Sequence, residues 1–184
     1  SFKAASIYKI VNCKIISSSC LYFDENNKII RESIDHYARD HEILTTKKTI
    51  SIKGNVLNMC NINHMNYYHF IIDMLYKLYV FKSLGLSNYK LIFLKKNFTS
   101  YRKEILLFFF PEEVKNLYFV DNRTTILCEN AYHINSNFEY NFSKYRYFVS
   151  FLNKKISSSK KIKKTNKKLK VFVSRKLAKY RNFV

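Results

Sequence analysis

The longest stretch of the chain with a clean helical period is residues 66–84, NYYHFIIDMLYKLYVFKSL. Apolar side chains recur in it every three or four positions, as on the buried face of a helix; they are Tyr67, Ile71, Met74, Leu75, Leu78 and Phe81. A second line of residues with the same spacing is polar and lies on another face of the predicted helix; its members are Asn66, His69, Asp73 and Lys77. The stretch therefore predicts a buried helix with a polar cluster at its N-terminal end, where unpaired N–H groups favour anionic or hydroxyl-rich ligands.

The pattern alone leaves two interpretations of the polar line open. In the first, His69 and Asp73 are functional residues that face a ligand. In the second, Asn66 caps the helix, His69 is a hydrogen-bonded core residue, and Asp73 forms an ordinary i,i+4 pair with Lys77 that is worth a few tenths of a kcal/mol. Spacing by itself favours the second interpretation, because a lone histidine on a helix is usually structural.

Predicted strands and helices alternate along most of the chain. Residues 1–60 form a β-rich region with strands at 7–16 and 49–59 and a hairpin at 21–30, whose turn is the polar run Asp24–Asn27. Residues 61–184 continue with strands at 90–94, 117–120, 124–133 and 169–173, and with helices at 66–84, 100–110 and 141–156. Gly85 and Ser100 read as a helix C-cap and a helix N-cap, respectively. This alternation predicts an α/β fold around a mostly parallel sheet, preceded by a β-hairpin region.

The composition is that of a basic globular chain. The 184 residues are 47% hydrophobic and 17% aromatic, enough for a sizeable core, and the net charge is +20. Such an excess of cations favours anionic partners, namely nucleoside diphosphates, acidic lipid surfaces or nucleic acid. The longest apolar run, residues 105–110, is far too short to cross a membrane.

The four cysteines, Cys13, Cys20, Cys60 and Cys128, are scattered and contain no C-x-x-C pair. In a chain of this size they are typical of reduced, mostly buried thiols in an intracellular protein. Cys60 could join His64 and His69 around a metal ion, but this spacing matches no common zinc pattern. We therefore expect no metal site.

Residues 66–75, NYYHFIIDML, resemble the signature of glycosyltransferase family 61, an Asn-aromatic-aromatic-His-Trp segment followed by an acidic residue and Leu-Pro-Arg-Leu. Phe70 stands in place of the usual tryptophan, and residues 76–78, YKL, stand where Pro-Arg-Leu is common. Residues 171–181, VFVSRKLAKYR, resemble the family's strand followed by Ser-Arg, with an alanine and then a second arginine at intervals of three. A weaker Glu-Ser step lies at residues 32–33. The resemblance spans most of the chain.

The resemblance implies the Rossmann-like, acceptor-side N-terminal domain of a GT-B glycosyltransferase, in which two such domains face each other across a cleft. Relatives of this type make capsular polysaccharides, attach GlcNAc to EGF domains or mannose, or build plant xylan. The implied reaction transfers a sugar, with inversion, from a nucleotide sugar such as a uridine diphosphate sugar to a hydroxyl of a glycan, lipid-linked or protein acceptor. GT-B enzymes generally need no catalytic metal or cofactor, and no Asp-x-Asp motif occurs here.

The resemblance also assigns roles to residues. His69 first, and Asp73 second, are the candidate catalytic residues on the acceptor side. The candidate substrate-binding residues are Asn66, Tyr67 and Tyr68 beside them, with Ser174, Arg175 and Arg181 for the donor diphosphate. Guanidinium groups at the carboxyl end of a strand can grip a diphosphate and neutralise the charge of the leaving group. Judged without the resemblance, Arg175 and Arg181 are surface cations of a basic tail.

The basic run at residues 160–170 suggests two further partners. It could hold the protein peripherally to an anionic membrane, at about 1 kcal/mol per cation near the surface. We accordingly expect a cytoplasmic enzyme at the inner membrane, or one in the secretory lumen if the source is eukaryotic. Alternatively, the run and neighbouring tyrosines could bind nucleic acid, but no RNP, helix-turn-helix or KH pattern accompanies them. A third alternative is an inactive glycosyltransferase relative, given Phe70 and the missing Pro-Arg.

We interpret the chain as a fragment that lacks the C-terminal donor-binding domain, and we expect it to be inactive by itself. Sequencing the native transcript beyond Val184 tests this interpretation. The expected continuation is an Asn-Glu step and about 150–200 further residues of βα pattern, roughly one more domain. A stop codon close to Val184 would contradict it and favour the binding module or the inactive relative.

Overall fold

The structure, a computed structural model, describes residues 6–33, 46–60, 69–135 and 145–159. Its strands are β1 (Ser6–Ile16), β2 (Tyr22–Phe23), β3 (Lys48–Asn58), β4 (Tyr89–Leu94), β5 (Leu117–Val120) and β6 (Thr124–Asn135). A π-helix at Phe70–Leu75 runs directly into α1 (Tyr76–Lys82), and the other α-helices are α2 (Ser100–Phe109) and α3 (Arg146–Ser158). Short 3₁₀ turns lie at Arg31–Ser33, Lys95–Asn97 and Pro111–Asn116.

The six strands form one mixed sheet in the order β2-β1-β6-β3-β4-β5. The pairs β6–β3, β3–β4 and β4–β5 are parallel, whereas β1 runs antiparallel to both β6 and β2. Helical segments connect β3 to β4 and β4 to β5, as in βα units. The predicted α/β class is therefore confirmed. The division at residue 60 stays a prediction, although strands from both sides of it pair within the same sheet.

The link between β5 and β6 shows that this sheet is strongly curled. Val120 at the end of β5 lies opposite Leu94, beside the end of β3, whereas Thr124 lies opposite Lys48 at the start of β3. In a flat sheet these points would be at least the length of β3 apart, about 35 Å for eleven residues. The four chain steps from Val120 to Thr124 span at most about 14 Å. The sheet must therefore bend round to bring the two ends together.

Ser17 stabilises the curled sheet at the β5–β6 link. Its hydroxyl donates to the carbonyl oxygen of Asp121 at 2.9 Å and accepts from the N–H of Thr124 at 2.9 Å. The backbone N–H of Ser17 also donates to the carbonyl oxygen of Thr124 at 3.0 Å. Because Ser17 is completely buried, all three bonds are shielded from water and fasten the end of β1 to the β5–β6 link.

The curl gives the sheet two different faces. One face packs against the described helices, with a core that includes Leu57, Leu91, Phe70, Leu78, Leu106 and Phe148. The described members of the other core come from strands and from Cys60 just after β3; they include Ile15, Ile52, Val56, Ile92, Ile126 and Cys128. Side chains of distant strands meet in this second core because the sheet folds over on itself.

Backbone irregularities in β1 and β3 lie at the same height in the sheet, on either side of Glu129 in β6. Asn12 of β1 has a φ of +48°, and the β3–β6 register shifts between Ile52 and Asn55. Gly54 within this bulge has a φ of +80°, which favours glycine, and its N–H donates to the Glu129 carboxylate of β6 at 2.8 Å. Bulges increase local twist and bend the strand that carries them. They accordingly help the sheet to curl.

Most predicted element positions agree with the structure. The C-cap of α1 is Ser83 and not the predicted Gly85, but Gly85 does end the turn after the helix: it has a φ of +64°, and its N–H donates to the Lys82 carbonyl at 3.1 Å. The N-cap prediction at Ser100 is wrong: Thr99 occupies that position and makes no side-chain cap bond, while Ser100 already has helical geometry. The predicted hairpin is present: Phe23 bridges Ile29, and the N–H groups of Asp24 and Ile30 donate to the carbonyl groups of Lys28 and Tyr22, each at 2.9 Å. β2 also pairs with β1. The predicted strand at 169–173 lies outside the described residues.

Within the described ranges, the helices lack the combined length and apolar character needed to cross a bilayer.

Glu113 links the far end of α1 to the start of β4. It is buried, and its carboxylate accepts hydrogen bonds from Lys82, from the Tyr89 hydroxyl, and from Asn116 at 3.0 Å. Burial on its own raises the pKa of Glu113, but these bonds together outweigh burial and hold the pKa below its ordinary value. Burial and the Glu113 carboxylate raise the pKa of Tyr89. The folded state thus favours an ionised Glu113 next to a neutral Tyr89 hydroxyl.

We predict that Glu113→Gln lowers the free energy of unfolding by about 1–3 kcal/mol, because an amide presents N–H groups to partners that themselves donate. Urea unfolding at neutral pH measures this change. The matched control is Glu112→Gln, whose side chain is 75% exposed and should change stability by less than about 0.5 kcal/mol. The contribution of ionised Glu113 is present above its unfolded pKa and is lost as pH falls through its lower folded pKa. The difference between wild type and Glu113→Gln should therefore shrink on acidification, and a constant difference would contradict this assignment.

Candidate functional site

The candidate site lies at the carboxyl edge of the parallel strands. His69 immediately precedes the π-helix that follows β3, and the loop Lys95–Thr99 follows β4. The described part of this helix runs from His69 to Lys82, which is bonded to Glu113 beside Tyr89, the first residue of β4. It therefore runs antiparallel to the strands and places His69 towards the edge where β3 and β4 end. Open α/β sheets bind ligands at this edge.

His69 and Asp73 form a hydrogen-bonded pair across one helical turn. His69 Nδ1 and Asp73 Oδ2 are 2.7 Å apart, a short distance typical of a charge-assisted bond. The Asp73 side chain is only 7% exposed, whereas the His69 side chain is 19% exposed. The pair thus combines a buried carboxylate with an imidazole that solvent or a ligand can reach.

This geometry determines which proton chemistry the pair can perform. An ionised carboxylate only accepts hydrogen bonds, so Nδ1 of His69 carries the hydrogen and Nε2 is the basic nitrogen. When Nε2 takes up a proton, the Nδ1–H can remain bonded to the Asp73 carboxylate. A histidine oriented in this way is suited to act as a general base.

The backbone at Asp73 differs from the predicted α-helix. Residues Phe70–Leu75 form a π-helical turn, which is rare and occurs frequently at functional sites. Asp73 lies inside this turn, among the buried Phe70, Met74 and Leu75. No feature of the sequence period indicated the wider turn, because both helix types place residues three to five apart on one side.

Arg102 packs against this helix at Phe70, and the sequence pattern did not single it out among 33 lysines and arginines. It is 2% exposed, and its guanidinium carbon lies 5.4 Å from the centre of the Phe70 ring. The guanidinium also donates to the Asn97 carbonyl and, at 3.0 Å, to the Tyr101 hydroxyl. A desolvated cation–π contact is worth about 2 kcal/mol. Arg102 therefore fastens the first turn of α2 to the residue that follows His69.

The loop after β4 adds buried polar groups to this edge. Among the described residues, Asn97 Nδ2 and Thr99 Oγ1 are buried and make no hydrogen bond. Buried polar atoms usually have a protein, water or ligand partner, and leaving them without one costs stability. This loop is therefore suited to accept a further hydrogen-bonding group.

Of the eight sequence-predicted site residues, the structure describes His69 and Asp73 and brings them together. Asn66, Tyr67, Tyr68, Ser174, Arg175 and Arg181 lie outside the described residues. In the described part of the chain, no three His, Cys, Asp or Glu side chains are arranged to hold a metal ion.

An open depression of about 660 Å³ lies elsewhere, over β1, β6 and β3. Lys14, Ser51, Lys53 and Glu129 are among its lining residues, whereas His69 and Asp73 are not. Its lining mixes both charges and shows no arrangement of an acid with a base comparable to the His69–Asp73 pair. The depression is therefore separate from the candidate site.

Comparisons with protein-family models, with curated proteins and with solved structures found no match. The family 61 resemblance accordingly rests on the sequence motifs, and the chemical argument rests on the His69–Asp73 pair.

We predict that His69 is in the Nδ1–H tautomer when neutral, because Asp73 accepts from that nitrogen. Long-range ¹H–¹⁵N NMR spectra distinguish the two tautomers, and loss of the signal in His69→Gln assigns it. Asp73→Ala should shift the population towards the Nε2–H form that predominates in solvent-exposed histidines, whereas Glu104→Ala on α2 should not. An Nε2–H tautomer in the wild type would contradict this geometry.

Proposed function

We propose that the chain is the acceptor-side part of an inverting glycosyltransferase similar to family 61, with His69 as the general base. The observation that carries the proposal is the 2.7 Å bond between His69 Nδ1 and the buried Asp73 carboxylate at the carboxyl edge of the sheet. The sequence motif at residues 66–75 supports the same residues independently of this geometry. A mixed α/β sheet agrees with the proposed Rossmann-like GT-B domain at the level of fold class.

In the proposed reaction, the acceptor hydroxyl oxygen attacks the anomeric carbon of the donor sugar while Nε2 of His69 takes the hydroxyl proton. The new carbon–oxygen bond forms on one face of the sugar, and the bond to the diphosphate breaks on the other. The nucleoside diphosphate leaves with the bonding electron pair, so the anomeric configuration inverts. No covalent intermediate or redox step is needed.

Asp73 and Arg102 have supporting roles in this reaction. Asp73 bonds to Nδ1 and so orients the imidazole with Nε2 as the proton acceptor. Arg102 acts through Phe70 and is a positioning residue, because it packs on the residue that directly follows His69. A shift of about 1 Å in a catalytic group can cost as much as 10²-fold in rate.

Substrate contacts complete the proposal. Asn66, Tyr67 and Tyr68 precede His69 and would contact the acceptor. Ser174, Arg175 and Arg181 would contact the diphosphate of a uridine diphosphate sugar, with the rest of the donor site on a C-terminal domain. A net charge of +20 suits such an anionic donor and peripheral contact with anionic lipid.

We predict that His69→Ala lowers kcat by about 10²–10⁴-fold, because it removes the general base. Asp73→Asn should lower kcat with a smaller effect on KM, since its charge acts on the transition state. The assay uses the full natural reading frame, UDP-glucose, UDP-N-acetylglucosamine and UDP-xylose as donors, and measures UDP release with glycan acceptors. Glu104→Gln is the matched control and should retain wild-type kcat.

A wild-type kcat unaffected by His69→Ala would refute His69 as the base. Absence of stabilisation by any of these donors, together with nucleic-acid affinity that falls steeply with salt, would favour the basic binding module instead. Donor binding without turnover, at every acceptor tried, would indicate the inactive relative.

A further inference from the structure

The four cysteines are far apart in the sequence but meet in one core. Cys13, Cys60 and Cys128 belong to the strand-built core on the inner face of the sheet, and Cys20 packs against it. None of the four is in a disulfide bond. Their sequence spacing predicted buried thiols and gave no indication of this convergence.

Cys13 and Cys128 lie directly opposite each other. They are Cα partners in the antiparallel pairing of β1 with β6, and they are 2% and 3% exposed. Opposed residues in antiparallel strands have Cα atoms about 4.5–5.5 Å apart. This distance falls within the range of about 4.4–6.8 Å found for disulfides. The register of β1 and β6 therefore places these two residues in positions whose usual Cα separation is compatible with a disulfide.

The two thiols also interact. A hydrogen bond with the Cys128 thiol lowers the pKa of Cys13, and the same bond, together with burial, raises the pKa of Cys128. Cys13 is therefore the better nucleophile of the two, because the thiolate is the reactive form of cysteine. The other thiols have separate partners: Cys60 Sγ donates to the Ile92 carbonyl at 3.8 Å, and Cys20 Sγ donates to the Ser17 carbonyl at 3.9 Å.

We propose that Cys13 and Cys128 form a reversible intramolecular disulfide when a peroxide oxidises the protein. The Cys13 thiolate attacks one peroxide oxygen, the O–O bond breaks, and Cys13 sulfenic acid and one water form after proton uptake. The Cys128 sulfur then attacks the Cys13 sulfur, the S–O bond breaks, and a second water leaves with the Cys128 proton. Two thiols are oxidised and one hydrogen peroxide is reduced to two waters. This site is independent of the proposed glycosyltransferase function.

The position of the pair gives the disulfide a structural effect. It would join β1 to β6 next to Asn12 and Glu129, at the height of the backbone irregularities in β1 and β3. The closed loop would contain β2, β3, β4 and β5, so the unfolded chain would be strongly constrained. Oxidation should therefore raise the unfolding temperature, and a thiol reductant should reverse the rise.

The test is to treat the folded, reduced protein with hydrogen peroxide, remove the peroxide, unfold the protein in denaturant that contains iodoacetamide so that buried thiols are blocked as they become exposed, digest it with trypsin and analyse the peptides by mass spectrometry. Cleavage after lysine and arginine places Cys13 in residues 10–14 and Cys128 in residues 124–144, whereas Cys20 and Cys60 fall in residues 15–28 and 54–77. The expected product is peptide 10–14 linked to peptide 124–144. It should form with loss of two of four thiols and disappear after dithiothreitol treatment.

Cys13→Ser and Cys128→Ser should each abolish the linked product, whereas Cys60→Ser is the matched buried control and should retain it. The wild-type peptide map is decisive even if a variant fails to fold. Repeating the oxidation in denaturant should remove the preference for this pair. A dominant link between Cys20 and Cys60, intermolecular dimers, or retention of all four thiols under peroxide that oxidises a free thiol would overturn the proposal.

Discussion

The β5–β6 link is the constraint on which the rest of the structure depends. Only Asp121–Arg123 separate the end of β5 from the start of β6, although β5 and β6 are at opposite ends of the parallel part of the sheet. So short a connection requires the sheet to curl, and the bonds of Ser17 hold it closed. The curl explains how a sheet can bury apolar side chains from several strands against one another, and why all four cysteines contribute to one core.

The helices on the outer face position the candidate site. The Arg102–Phe70 contact joins the first turn of α2 to the π-helical turn that contains Asp73. Towards the other end of this helix, Glu113 ties α1 to β4 through Lys82 and Tyr89. The helix that carries His69 and Asp73 is therefore held at two separate points, which favours a fixed orientation of the imidazole. The buried carboxylates of Glu113 and Asp73 are both hydrogen-bonded to side chains, Glu113 to three and Asp73 to His69.

The Cys13–Cys128 pair and the His69–Asp73 site depend on different levels of structure. His69 and Asp73 are four residues apart on one helix, so their proximity follows from local structure. Cys13 and Cys128 meet only through long-range pairing of the first described strand with the last. A local motif can be recognised in a single sequence, whereas a cross-strand pair of this kind cannot, because register is set by turns and by the pattern of the whole sheet.

The sequence by itself determined the α/β class, the positions of most strands and helices, the end of α1 before Gly85 and the location of His69 and Asp73 on one face of a helix. All of these depend on local spacing, turn residues and side-chain periodicity, which act over a few residues. Only the tertiary structure decided the curl of the sheet, the π-helical turn around Asp73, the buried Arg102 contact, the Thr99 cap position and the opposition of Cys13 to Cys128. The π-helical turn and the cap position leave the side-chain period of the sequence unchanged. The curl, the Arg102 contact and the opposition of the two cysteines depend on contacts between segments far apart in the chain, and such contacts leave no periodic signal in the sequence.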